Sequence, residues 1–175
     1  SIYQSGGSAR PMIASHSIRR EGKLIITEIA IDLGGNEETI ACTADNNRPV
    51  GVKSSTGDAH LMQWEDDVHG IFIMAEAVVV EAANTETAMS LRSGATADGQ
   101  AVGETITNPA QVIGFPVNAV NIATTDDNDG SSADSGSLQD GEYLYLTNDT
   151  NASQVDYTQG RFIIRLIGAD NSWSF

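Results

Sequence analysis

Apolar and polar residues alternate along several short segments of the chain with the two-residue period of a β-strand. The clearest case is KLIITEIAIDL, residues 23–33, in which Glu28 and Asp32 fall on one face. The opposite face collects Ile25, Thr27, Ile29, Ile31 and Leu33. One side of this segment is therefore predicted to pack on a core, while the other side meets water.

The segment GIFIMAEAVVVE, residues 70–81, is apolar on both faces. Its many β-branched residues favour a strand over a helix, so we predict a strand that is buried on both sides. Residues 88–92 indicate a further strand, and two short strands, TIACTA and PVGVK, flank a turn at residues 45–49. The run MQWEDD, residues 62–67, fits either a loop or a helical turn.

Two strongly alternating segments lie near the end of the sequence, EYLYLTN at 142–148 and GRFIIRLIG at 160–168. A polar connection joins them. Asp140 and Gly141 supply a turn before the first segment, so the natural pairing is an antiparallel hairpin with a long loop.

These elements predict an all-β protein, an antiparallel β-sandwich or barrel, with a jelly roll as one such arrangement. Residues 1–22 hold few large apolar side chains and are predicted as an extended N-terminal arm. Residues 23–175 are predicted as a single β domain with long polar loops. One of these, 124–137, is acidic and poor in apolar residues, which is typical of a flexible loop.

Charge is distributed very unevenly in this 175-residue chain, whose net charge is −15. Residues 1–23 hold four basic residues and one acidic residue, a net +3, whereas the remainder holds five basic and 23 acidic residues, a net −18. This balance argues strongly against nucleic acid as a partner, because binding phosphates needs clustered Lys and Arg. No apolar run approaches the roughly 18 residues of a membrane span, so no membrane partner is expected.

Residues with metal or nucleophile chemistry form no recognised motif. Cys42 is the single cysteine, which excludes an internal disulfide, and its strand-like setting predicts a buried, inert thiol. His16, His60 and His69 show no metal-ligand spacing and are expected in loops or facing solvent. No GxSxG turn is present for a serine nucleophile. We therefore expect neither an enzyme nor a cofactor.

Acidic clusters are interpreted as solvated loop charges. The neighbouring carboxylates Glu37/Glu38 and Asp66/Asp67 do not define the cleft that glycosidase chemistry needs. The run DDNDG at 126–130 is similar to a calcium loop, but its frame places Gly136 where the twelfth-position Glu is needed. No metal site is predicted.

The basic arm and the aromatic end of the sequence are the candidate partner-binding elements. The arm is either a disordered tail or a segment that becomes ordered across a neighbouring acidic surface, where arginine suits bidentate carboxylate pairing. The predicted partner-binding residues are Arg10, Arg19, Arg20, Lys23, Trp173 and Phe175.

Four segments carry a resemblance to a known class of proteins. They are GKLIITEIAIDLGG (22–35), GIFIMAEAVVVEA (70–82), DGEYLYLTN (140–148) and YTQGRFIIRLIGA (157–169). Together with the Gly- and Ser-rich arm, this plan resembles small capsid decoration (cement) proteins and related virion proteins of tailed, particularly marine, bacteriophages.

The resemblance implies a non-enzymatic β-fold that stabilises a phage capsid from outside, with the major capsid protein and identical subunits as partners. It also implies a homo-oligomer on the virion, assembled in the host bacterial cytoplasm. A carbohydrate-binding or adhesion module is the first alternative, with Trp64, Trp173 and Tyr143 as stacking platforms. An enzyme of unrecognised type is the second.

Overall fold

The computed structural model describes residues 7–43, 48–55, 57–84, 86–95, 104–107, 109–125, 138–149, 154–170 and 172. Strands dominate the described residues, and the helical elements are one 3₁₀ turn, Arg10–Met12, and one short helix, α1 (Asp66–His69). The strands are β1 (Ile13–Glu21), β2 (Leu24–Asp32), β3 (Ile40–Cys42), β4 (Gly51–Val52), β5 (Met62–Gln63), β6 (Ile71–Glu81), β7 (Ala88–Gly94), β8 (Ala110–Pro116), β9 (Asn121–Thr124), β10 (Tyr143–Asn148), β11 (Val155–Tyr157) and β12 (Arg161–Ala169).

The described strands form three sheets with antiparallel pairing. The largest has the order β1-β2-β12-β6-β9, the second β5-β10-β7-β8, and the third β11-β3-β4. A single bridge between Pro49 and Thr147 links the third sheet region to the second. The predicted all-β antiparallel sandwich is confirmed, although the strands do not close into a barrel and form three sheets where a jelly roll has two.

One core lies between the inner faces of the sheets. Phe162 on β12 meets Phe115 on β8 edge to face, with ring centroids 5.7 Å apart, and so joins the five-stranded sheet to the four-stranded one. The inner face of β2 contributes Ile25, Thr27, Ile29 and Ile31, each at most 2% exposed. The face predicted to be buried from the alternation of residues 23–33 is therefore confirmed.

The segment predicted as an arm is built into the domain from residue 8 onwards. Ser8, Ala9 and Met12 are fully buried, and β1 pairs with β2 along its length in a tight hairpin. Gly22 takes a φ of 63° in the two-residue turn, a left-handed conformation that glycine adopts without steric cost. Over residues 13–21 the predicted extended arm is therefore an edge strand that pairs with β2.

The predicted hairpin of residues 142–148 and 160–168 is wrong. The first segment is β10, which pairs with β5 and β7, and the second is β12, which pairs with β2 and β6. Between them the chain forms β11, which pairs with β3 in the third sheet. Alternation identifies a strand and its buried face but not its partner, so the two segments join different sheets.

β6 is the strand predicted to be buried on both faces, and only its inner face is. Ala75, Ala77 and Val79 are fully buried, whereas Ile71 and Ile73 are 53% and 51% exposed. The register of the pairing with β12 shifts at two places along β6. Ile73 lies at one of these bulges and Val80 lies at the other. The apolar residues on the second face therefore belong to a surface.

Helix α1 packs tightly on the end of β12. A Cβ on Gly168 would collide with the backbone carbonyl of His69, so the contact requires glycine at this position. Gly70 ends the helix with a φ of 81° and leads directly into β6, as glycine often does at a helix C-terminus. This close approach fixes the position of α1 relative to the five-stranded sheet.

Candidate interaction surface

A row of charged side chains crosses the outer face of the five-stranded sheet, the face turned away from the core. Arg165 on β12 lies opposite Glu28 on β2 and Glu76 on β6. Its Nη1 is 2.6 Å from Glu76 Oε1, and its Nε is 2.9 Å from Glu28 Oε2. Hydrogen bonds from the guanidinium to Glu76 and then to Glu28 raise the pKa of Arg165, because they favour its charged form. We call Glu28, Arg165 and Glu76 the charged row.

Two apolar rows lie on either side of the charged row on the same outer face. On β12, the first apolar row lies two residues before Arg165, and the second apolar row lies two residues after it. This spacing follows the two-residue period of a strand. The first apolar row, which crosses four strands, consists of Ala30, Ile163, Val78 and Ile122. The second apolar row consists of Ile26, which is only 6% exposed, together with Ile167 and Met74. The outer face is thus apolar, charged and apolar in succession.

The large apolar side chains that the described residues expose are concentrated on this sheet. Five lie on β1, β2 or β6 and two at β9, and none lies on the other two sheets. They are Ile18 at 38%, Leu24 at 38%, Ile71 at 53%, Ile73 at 51%, Val80 at 47%, Val120 at 72% and Ile122 at 64%. Ile122 lies on the outer face, opposite Val78, whereas Ile18 lies opposite Thr27 of the inner face. The outer face with its apolar rows is therefore the candidate interaction surface.

Strand β1 forms one edge of the sheet and carries two of the predicted basic residues, Arg19 and Arg20. Arg19 places its Nε 3.1 Å from Glu21 and its Nη1 3.6 Å from Glu28, which extends the charged row to β1. Arg20 bonds the carboxylate of Asp170, and hydrogen bonds from Ser172, followed by that of Arg20, lower the pKa of Asp170. Both arginine side chains stay about half exposed, at 45% and 58%.

The other predicted partner-binding residues lie in different parts of the chain. Lys23 lies exposed in the turn of the β1–β2 hairpin, and Arg10 lies exposed in the 3₁₀ turn. Trp173 and Phe175 fall outside the described residues. We call Arg19, Arg20 and Lys23, together with the free side of β1, the basic edge. Among the described strands, none pairs with β1 on that side.

The prediction that the histidines lie in loops or face solvent is confirmed only in part: His60 lies in a loop, although it is buried, whereas His69 lies in α1 and His16 lies on β1. His69 is 3% exposed and stacks on Trp64 with ring centroids 4.9 Å apart, and its Nδ1 pairs with the backbone of Glu65. His60 is 9% exposed and packs edge-on against Tyr143 at 5.0 Å. His16 is half-buried on β1. The pKa of all three is lowered, because desolvation disfavours the charged imidazolium.

Trp64 cannot serve as a platform for sugars, because it is fully buried. Its Nε1 donates to Asp66 Oδ1 at 3.1 Å, and its ring also meets Phe72 edge to face. Tyr143 is half-buried against His60. Two of the three aromatics proposed for glycan stacking are therefore engaged inside the domain, and Trp173 lies outside the described residues.

The prediction that Cys42 is buried is confirmed. Its side chain is 0% exposed and lies in a small polar cluster inside the core. Tyr157 Oη is 3.3 Å from the sulfur, and Asn148 Nδ2 donates both to the sulfur at 3.1 Å and to Glu86 at 2.8 Å. Burial, followed by the neighbouring thiol, raises the pKa of Tyr157.

The acidic pairs lie at the surface. Glu37 and Glu38 are exposed, and Asp67 lines a depression of about 450 Å³ together with Glu65, Val68 and Asp140. Within the described ranges, no group of three or more His, Cys, Asp or Glu side chains is arranged to hold a metal ion. The calcium-like run at 126–130 lies outside those ranges.

Comparison with known proteins gives no relative: no family model, curated protein or solved structure matches this chain. No helix in the described part of the chain is long and apolar enough to cross a membrane.

The charged row was not predicted from the sequence, although a signal for it was present. Glu28, Glu76 and Arg165 each lie in the middle of a mostly apolar strand, whose other charged residue stands at its end. An isolated charge at such a position indicates a partner of opposite sign on the next strand. The strand order was the missing information, because it decides that Arg165 lies between the two glutamates.

Proposed function

We propose that this protein is a non-enzymatic structural component of a phage virion, which decorates the capsid exterior and stabilises it through protein–protein contacts. The observation that supports this most is the position of the basic edge. Two arginines of a strongly acidic chain, Arg19 and Arg20, lie on a nine-residue edge strand, Lys23 lies in the turn that follows it, and no other described strand pairs with the far side of that strand.

An open edge strand binds protein partners by a general mechanism. Its unpaired backbone groups accept another extended segment, and the side chains around it select the partner. Arg19 and Arg20 favour an acidic partner surface, since guanidinium groups pair with carboxylates in bidentate geometry. The guanidinium groups of both arginines stay about half exposed in their ion pairs within the chain, so they can reach contacts with a partner.

The acidic remainder of the chain supports the same function. Residues 24–175 carry a net −18, which repels nucleic acid and other polyanions. A protein on the outside of a capsid then binds through a defined basic patch and resists nonspecific attachment elsewhere. The major capsid protein is the proposed partner at the basic edge, and identical subunits are the second proposed partner.

The test uses virions and a matched pair of double variants. The full chain should be recovered in density-purified particles and should rebind particles from which it has been removed. Arg19→Gln with Arg20→Gln should weaken rebinding about ten-fold or more, because two charge-assisted contacts are lost. Lys53→Gln with Arg48→Gln is the control: it removes two cations that lie outside the five-stranded sheet and are hydrogen-bonded within the chain, and it should leave binding unchanged. Absence of the protein from virions, or equal loss in both double variants, would overturn the proposal.

A further inference from the structure

We infer that the outer face of the five-stranded sheet binds a second copy of this chain, face to face, about a two-fold axis that runs along the strands between β12 and β6. This contact rests on the proposed function and deepens it, since it names the surface through which identical subunits meet. The half-turn lays β12 of one copy over β6 of the other, and β2 of one copy over β9 of the other. The basic edge on β1 stays outside the overlap and is left free for the other partner.

The order of the rows favours a second copy as the occupant. A two-fold contact presents the same patch from both subunits, so the patch must match itself after a half-turn. A half-turn about an axis parallel to the strands lays each row over the same row of the other copy. Apolar side chains therefore meet apolar side chains, and the charged row meets the charged row, which makes the patch self-complementary.

The register gives specific contacts between the two copies. The half-turn exchanges β12 with β6, so Ile163 of one copy lies over Val78 of the other, and Ile167 lies over Met74. It also exchanges β2 with β9, which are the strands just outside this pair. The pattern is that of the two layers of a β-sandwich, with one layer from each copy.

Side-chain size is complementary at the outer end of the first apolar row. Ile122 on β9 is 64% exposed, and the half-turn lays it over Ala30 of the other copy. The small side chain of Ala30 leaves room for the isoleucine. Interdigitation of large and small side chains is how packed sheet faces fill the space between them.

Charge complementarity selects this axis. Each copy carries a net −15, which opposes the approach of two acidic surfaces. The exchange of β12 with β6 brings Arg165 of each copy over Glu76 of the other, so opposite charges face each other twice across the interface. An axis along the charged row itself would instead lay Arg165 over Arg165, which is unfavourable.

The size of the face is sufficient for a dimer. Four strands spaced by about 4.8 Å, with the longer strands of about nine residues at 3.3 Å each, cover a flat outline of roughly 500–600 Å². A standard protein interface buries about 800 Å² of accessible surface on each partner. Projecting side chains raise the accessible area above the flat outline, and exposed residues at its margins, such as Val80 and Ile71, extend it.

The first experiment measures mass in solution by light scattering or sedimentation. The monomer has a mass of 18.5 kDa. At about 100 µM, where a contact with a micromolar Kd is mostly formed, the measured mass should be twice that value.

A pair of charge variants shows whether the outer face makes this contact. Ile122→Glu puts a charge into the first apolar row at an exposed side chain, and should weaken dimerisation at least ten-fold. Thr39→Glu, an exposed position outside this sheet, is the charge-matched control and should leave the dimer intact.

The second experiment tests the axis with a thiol-reactive bismaleimide that has a two-carbon spacer. A mixture of Ala30→Cys and Ile122→Cys chains should be crosslinked, because the half-turn lays these two positions over each other. Neither variant alone should be crosslinked. The two copies of the same position are three strands apart, which is about 14 Å measured across the strands. The native Cys42 is buried and does not react in the folded protein.

Two results would overturn the inference: a monomer at about 100 µM in the first experiment, or crosslinking of Ile122→Cys alone as readily as the mixture. Neither result bears on the proposed binding to the capsid, whose test uses Arg19 and Arg20. Conversely, if the protein is a dimer in solution but is absent from virions, the face-to-face contact is supported and the proposed function is contradicted.

Discussion

Arg165 and Glu76 face each other across β12 and β6, with Nη1 and Oε1 2.6 Å apart, and Glu28 holds the other side of the same guanidinium. Arg165 therefore separates two carboxylates on neighbouring strands. A residue in this position does more than form one ion pair, because its loss leaves two like charges close together.

Arg165→Met should consequently destabilise the protein. Glu28 and Glu76 lose their shared partner while each side chain is only 28% exposed. We expect the free energy of unfolding to fall by about 1–3 kcal/mol. Urea denaturation at pH 7 measures the change.

Arg161→Met is the control for this effect. Its side chain is 59% exposed and pairs loosely with Asp32 and Glu81. Loss of such an exposed ion pair should cost about 1 kcal/mol or less. Equal effects of the two variants would contradict the role of Arg165.

Met12→Ala should show that the N-terminal segment belongs to the core. Met12 is fully buried. Truncating such a side chain should cost about 2–5 kcal/mol through lost burial and the cavity left behind. Thermal unfolding followed by circular dichroism measures the loss, and by the same logic deletion of residues 1–22 should destabilise the fold.

Ile18→Ala is the matched variant on β1. Its side chain is 38% exposed. Its truncation should therefore cost about 1–2 kcal/mol, less than that of Met12, since more than a third of its surface already meets solvent. A Met12→Ala protein as stable as Ile18→Ala would indicate a loosely attached segment.

Gly168→Ala should disturb the contact between α1 and β12. The new methyl group would collide with the carbonyl of His69. We expect a loss of about 1–3 kcal/mol, as for other overpacked sites. Gly57→Ala is the matched control, because its Cβ would meet Ser55 Oγ at an ordinary 3.4 Å. The unfolding midpoint of Gly57→Ala in urea should be nearly that of the wild type. A Gly168→Ala protein as stable as the wild type would show that α1 can move away from β12 at little cost.

Acidification should destabilise the protein through its buried histidines. Burial lowers the pKa of His60 and His69 below the ordinary 6.5. The unfolded chain therefore binds more protons than the folded one as the pH falls below that value. The contribution is complete above about pH 6.5 and is lost on acidification, by at most about 1.4 kcal/mol for each histidine and pH unit.

Urea titrations at three pH values between neutral and mildly acidic measure this loss, and a His60→Asn/His69→Asn double variant serves as the reference. Neutralising part of the −15 charge relieves repulsion in both proteins, so the comparison isolates the histidines. The gap in stability between the two proteins should shrink as the pH falls. A gap that is constant with pH would show that the two histidines do not change protonation on unfolding.

The strand content, the buried face of β2 and the burial of Cys42 could be predicted from the sequence, because each depends on local pattern. The partners of β10 and β12 could not, since alternation is satisfied by any neighbouring strand. β1 could not be predicted because an edge strand needs few large apolar side chains: among residues 7–22, the fully buried ones are Ser8, Ala9 and Met12.

The candidate surface was predicted only in part. Arg19, Arg20 and Lys23 were identified from the charge asymmetry, and they lie on the exposed hairpin. The outer face was missed because its apolar rows come from four separate strands, and the sequence does not show that Ile122 and Ala30 share a row. The histidines were misplaced for a related reason: burial of His69 depends on stacking against Trp64.

Cys42 sits inside the core between Tyr157 and Asn148, and the chain has no second cysteine. The native fold is consequently indifferent to redox conditions, since it has no bond to reduce and no accessible thiol to oxidise. Such a protein keeps the same covalent structure in a reducing cell interior and in an oxidising external medium. The rate at which Cys42 reacts with a thiol reagent therefore measures unfolding, because the thiol is buried in the folded protein.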